Sequence, residues 1–90
     1  MIPDALPGAE LVEQGLRDLD RGDETVESLL VSLGAPGLRA LGFGVHQPFA
    51  DAELRLYRLL AVHYGAGAHA RYNALVRRMV SFQRAGACAR

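Results

Sequence analysis

No acidic residue follows Glu53, neither lysine nor tryptophan occurs, and cysteine appears once, at Cys88. A lone cysteine excludes an internal disulfide and any cysteine-based metal cluster. His46, His63 and His69 form no i, i+4 pair with one another, so no metal and no cofactor are expected. No apolar run approaches the ~20 residues needed to span a bilayer, which argues against a membrane partner. The opening Met1–Gly8 has neither the basic start nor the apolar core of a secretory signal, so a cytoplasmic protein is expected. Isoleucine is confined to Ile2, while leucine and alanine are abundant, a bias toward helix over strand. All ten basic residues are arginine, and with the alanine and glycine content this is the composition of a GC-rich bacterial coding sequence.

What is present begins with charge. Ten acidic residues and Arg17, Arg21 and Arg39 lie at or before Glu53, a balance of −7; seven arginines follow it, a balance of +7. The net charge of zero hides that split. Ninety residues, half of them hydrophobic, suit a single globular domain with one core.

Residues 1–8, with Pro3, Pro7 and Gly8, read as an irregular lead-in. A first helix is predicted over Ala9–Arg21, with Leu11, Val12, Gly15, Leu16 and Leu19 on one face and Gly22 as its stop. Asp23 or Thr25 caps a second helix to Leu33, whose buried stripe is Val26, Leu29, Leu30 and Leu33. Gly34 ends it, Pro36 opens a short third piece, and Gly42 closes that piece within two turns. A connector with apolar anchors at Phe43 and Phe49 leads to a fourth helix from near Asp51 to Tyr64. Its apolar residues, Leu54, Leu56, Tyr57, Leu59, Leu60, Ala61 and Tyr64, cover roughly 220° of the circumference. So wide an arc predicts the central helix, packed on more than one side. Gly65-Ala66-Gly67 makes a tight turn into a last helix over Ala68–Arg84, which buries Tyr72, Leu75, Val76, Met79, Val80 and Phe82. The expected fold is all-α: a compact four- to five-helix bundle over residues 9–85, ending in an antiparallel helical hairpin, with 86–90 as a flexible tail.

The candidate partner- or anion-binding residues are Arg55, Arg58, Arg71, Arg77, Arg78 and Arg84. Arginines of this kind form either a solvated rim paired with Glu10, Glu13, Asp18 and Glu27, or a surface for an acidic partner. Nucleic-acid binding also wants aromatic rings beside the arginines, and Tyr57, Tyr64, Tyr72 and Phe82 all fall on arcs assigned to the core. On the last helix the arginines split into two rows, Arg71 with Arg78 and Arg77 with Arg84, about 120° apart.

Residues 25–42 have a superficial helix-turn-helix outline, but the second helix offers Arg39 alone as a base reader and lies in the acidic half. The glycines before Ala68 offer free N–H groups to an anion, with His69 and Arg71 to assist, yet two turn positions explain them equally. Asn73 sits at the edge of the apolar arc, where an amide can set helix register. Arg58 and His63 are the only pair for which a catalytic role can be framed, and no nucleophile or carboxylate joins them, so an enzyme is not expected. The expectation is a small non-catalytic protein–protein interaction module whose partner is itself, as a homodimer, or another protein. The alternative is a nucleic-acid-binding protein that uses the arginine-rich last helix.

Overall fold

The computed structural model describes residues 6–88, and every regular element in that range is helical: α1 (Ala9–Asp20), α2 (Val26–Leu33), α3 (Ala35–Ala40), α4 (Ala52–Tyr64) and α5 (Ala68–Cys88). A 3₁₀ turn, Gly65–Gly67, joins α4 to α5. The lead-in residues 1–5 and the tail residues 89–90, Arg90 included, lie outside the described range.

The ends of the helices follow from local chemistry. Arg21 closes α1, Gly22 takes a left-handed φ of 76°, and the Asp23 N–H donates to the Asp18 carbonyl at 2.8 Å. Gly42 repeats the arrangement after α3, at φ 98°, with the Phe43 N–H donating to Leu38 O at 3.0 Å. Both are glycine-closed ends in which two otherwise orphaned carbonyls find donors. Thr25 caps α2: its hydroxyl accepts from the Ser28 N–H at 3.0 Å, and the Ser28 hydroxyl accepts from the Thr25 N–H at 2.8 Å. Gly34 is no left-handed stop, since its φ is −89°, and it serves instead as the N-cap of α3.

The buried Asp18 carboxylate ties α1 to α2. It accepts from the Gln14 amide at 2.8 Å, from the Thr25 hydroxyl at 2.7 Å and from the Arg21 guanidinium at 3.2 Å. The Thr25 hydroxyl is the main influence that holds this carboxyl below its ordinary pKa; burial opposes it, and Gln14 and Arg21 add to the lowering. Between the two helices there is no room for a side chain at Gly15. A Cβ there would lie 2.4 Å from Glu27 O and 2.4 Å from Val31 Cγ2.

The central helix is α2, not α4. Ser28, Leu29, Leu30, Val31 and Ser32 are all buried, and α2 packs against α1, α3, α4 and α5. Its two serines are tolerated there because their hydroxyls are satisfied locally. Ser28 donates to Thr25 O at 3.1 Å, and Ser32 donates to Ser28 O at 2.8 Å while accepting from the Phe49 N–H at 3.0 Å. By contrast α4 buries only Ala52, Leu56 and Leu60. The molecule measures 38 × 25 × 19 Å, and its thin dimension is about two helix diameters. The helix wrapped on all sides is α2, and α4 at the outside keeps an open side that leaves part of its 220° apolar arc uncovered.

Phe82, fully buried, packs against Phe43 at 5.7 Å between ring centroids and closes the core beneath α5. The α5 helix runs beyond Arg84 to Cys88. Alanine-rich sequence favours that extension, and Gly86 packs close to Leu41, so the last turn has something to lie on.

Candidate interaction face on the last two helices

Among the described residues, every large hydrophobic side chain that is substantially exposed belongs to α4 or α5. Leu54 is 52% exposed, Tyr57 39%, Val62 81%, Tyr64 45% and Val80 38%. Leu54, Tyr57, Tyr64 and Val80 therefore depart from the core positions that the periodicity predicts, whereas Phe82 keeps its place and Tyr72 is half-buried. On α4 the exposed residues Leu54, Tyr57, Ala61 and Tyr64 follow one another at intervals of three, four and three. That is the interval pattern of a helix seam that meets another helix.

Beside this seam lies an open groove of about 760 Å³. Its floor is Ser32 and Leu33 of α2 with Phe49 of the connector, and one wall is the start of α4, with Asp51, Glu53, Leu54 and Tyr57. His69, Tyr72 and Asn73 of α5 form the other wall. The Tyr57 ring stands 5.7 Å from Tyr72 and 6.3 Å from His69, and the Asn73 amide nitrogen lies 3.2 Å from His69 Nε2. Burial raises the pKa of the Tyr72 hydroxyl, and the negative charge of Glu53 raises it further. Carboxylates on a wall with aromatic faces beside them suit a cationic guest. The Ser32 hydroxyl is already engaged on both sides, so the groove holds no free nucleophile from that residue.

The six candidate arginines do not converge. Arg55 pairs with Glu24 at 3.2 Å and lies over the Phe49 ring at 5.8 Å. Arg78 pairs with Glu10. The Arg71 guanidinium lies 4.3 Å from the centroid of the Tyr64 ring. Arg71 and Arg78 share a smaller groove of about 320 Å³, in which Glu27 and Tyr64 also stand. Among the described residues Arg58, Arg77 and Arg84 are exposed and meet no carboxylate at ion-pair distance. Among the described residues the acidic half thus reaches the basic half within one copy through two pairs, Glu24–Arg55 and Glu10–Arg78, and leaves Arg58, Arg71, Arg77 and Arg84 without an ion pair.

The remaining candidates separate in space. Arg58 and His63 point about 140° apart around α4, and His63 is exposed, its ring against Tyr64. Arg39 spends its guanidinium on Val45 O at 2.8 Å, and α2 is buried on several sides, which removes both helices of the helix-turn-helix outline. At the turn before α5, Arg71 is drawn onto Tyr64 and His69 into the aromatic groove, so neither is held at the glycines. No three His, Cys, Asp or Glu side chains among the described residues come together as a metal site, and no helix there is long and apolar enough to cross a membrane.

Asn73 stands out in the sequence, but the groove around it does not. The only local signals were the i, i+4 pairs Glu53–Tyr57 and His69–Asn73, each of which brings a polar group beside a ring one turn away. Compared with family models, with curated proteins and with solved structures, the chain matches none of them.

Proposed function

We propose that this chain is a non-catalytic helical interaction module that binds protein through its α4–α5 face, and that its partner is a second copy of itself. The observation that carries the reading is the confinement of the exposed Leu54, Tyr57, Val62, Tyr64 and Val80 to those two helices. Scattered single apolar residues are ordinary on any surface, but Leu54, Tyr57 and Tyr64 share one stripe of α4, and such a row marks a surface that gains from being covered, while Val62 stands with Arg58 on another side. Charge points the same way: among the described residues Arg58, Arg77 and Arg84 lack acidic partners, while Asp20 and Asp51 are exposed. A two-fold pairing lets the acidic surface of each copy meet the basic surface of the other. The test is light scattering at micromolar concentration in moderate salt, where the reading expects twice the 9.7 kDa chain mass. A mass of 9.7 kDa at all concentrations rules out self-association.

One observation favours a second reading, nucleic-acid binding through the last helix. Tyr64 is exposed and Arg71 lies on its ring, a pair that can stack on bases. Against it, Arg78 is neutralised by Glu10, and Glu27 stands in the same small groove. The discriminating assay is a gel shift with single- and double-stranded probes at low salt. The second reading expects a shift that fades steeply as salt rises. No shift at low salt removes it.

A further inference from the structure

The groove at the start of α4 and the unpaired arginines of α5 lie on one side of the hairpin. Arg84 stands eleven residues beyond Asn73, three helical turns along α5, within about 20° of it around the axis and about 17 Å from it along the axis. Between them, on the same stripe, are the half-buried Val76 and the exposed Val80. The groove suits a cation: Asp51 and Glu53 stand on one wall, and the rings of Tyr57, Tyr72 and His69 line it beside them. Arg84 is exposed and has no carboxylate of its own among the described residues.

We infer that the groove is the receptor for Arg84 of a second copy, and that two such contacts, related by a two-fold axis near Val80, hold the dimer. The inference deepens the self-association reading above and rests on it. A two-fold axis midway between Asn73 and Arg84 sets α5 of the two copies antiparallel, so Arg84 of each reaches the other's groove at the same time. Near the axis Val80 of each copy lies against the aliphatic stem of the other copy's Arg77, while Leu54 and Tyr57 at the groove mouth cover the stem of the incoming arginine. A guanidinium suits this guest role because it can stack on a tyrosine face and donate to a carboxylate at its edge in one pose. Arg77 is only one turn from Asn73 and flanks its own groove, and Arg58 lies on another side of α4, so neither has the reach of Arg84.

The test uses the full chain and two surface variants, Arg84→Glu and Glu53→Arg, measured by sedimentation, with circular dichroism to show that each folds as the wild type does. Each variant alone loses two contacts per dimer, which at roughly tenfold each weakens association on the order of 100-fold. Mixed in equal amounts, the two variants regain a dimer, because in the mixed pair one contact is native and the other is native with its charges exchanged. A wild type that is monomeric removes the self-association reading and this inference together. A dimeric wild type whose Arg84→Glu variant is equally dimeric overturns the groove alone. So does a mixture of dissociated variants that stays dissociated.

Discussion

Replacing Gly15 by alanine adds one carbon at the point where α1 and α2 already touch. The new Cβ would sit 2.4 Å from the Glu27 carbonyl oxygen and 2.4 Å from Val31 Cγ2, about 1 Å inside ordinary contact. Neither neighbour can turn away: one is helix backbone, and the other belongs to a fully buried side chain. The helices must move apart, which also lengthens the bonds from Asp18 to Thr25. Overpacking of this kind costs about 1–3 kcal/mol, and a backbone clash belongs at the upper end or beyond. Alanine's better helix propensity returns about 1 kcal/mol, so the net loss is about 2 kcal/mol. For a domain this small that lowers Tm by roughly 8–16 °C. The matched control is Gly67→Ala in the turn before α5, where the nearest atom to a new Cβ is Tyr64 Cβ at 3.8 Å. It should be neutral or slightly stabilising, because alanine restricts the unfolded chain. Thermal melts of both variants by circular dichroism decide the matter. A Gly15→Ala variant as stable as the wild type refutes the close packing of α1 on α2.

Other outcomes follow from the same packing. Asp18→Asn should cost about 1.5–3 kcal/mol near neutral pH, because it weakens bonds to a charged acceptor. The folded-state pKa of Asp18 is lowered, so its contribution is complete above the unfolded value of about 3.9 and is lost as pH falls through the folded value. The stability gap between wild type and Asp18→Asn in urea titrations should therefore be constant above about pH 5 and shrink below about pH 4; a gap that widens in acid contradicts the assignment. Phe82→Ala removes a fully buried ring that packs on Phe43 and should cost about 3–5 kcal/mol, close to the whole stability of a domain this size, so the variant should melt near room temperature. A Phe82→Ala variant that melts with the wild type would mean that this ring is no part of the core.

Much of the architecture is legible in the sequence because the helix ends carry their own chemistry. Gly22, Thr25, Pro36 and Gly42 mark boundaries within a residue or so of those observed, since φ > 0 and hydroxyl capping are local requirements. The choice of central helix is not local. Ser28 and Ser32 look like solvent-facing residues in the sequence, yet each hydroxyl bonds to the carbonyl a turn earlier or to the connector, so α2 can be buried on faces that carry them. The error over α4 has the opposite origin. Periodicity counts the apolar residues on a helix and says nothing of how many neighbours exist to cover them. In a molecule two helices thick, Leu54, Tyr57, Ala61 and Tyr64 of that arc remain outside. The candidate arginines were legible as a set, but their division is not: only the fold shows Arg55 and Arg78 engaged with Glu24 and Glu10. The groove beside Tyr57 joins residues from three parts of the chain, 32–33, 49–57 and 69–73, and no single stretch announces it.

The central claim, that the α4–α5 face is an interface between copies, is tested most directly by sedimentation equilibrium of the wild type and of Leu54→Glu over a concentration series. Leu54 is half exposed and outside the core, so the variant should keep the wild-type helix content and melting temperature to within about 0.5 kcal/mol of stability. The wild type should approach twice 9.7 kDa as concentration rises, and the Leu54→Glu chain should stay at 9.7 kDa. A wild type that is monomeric throughout, or a variant that dimerises as well as the wild type does, contradicts it.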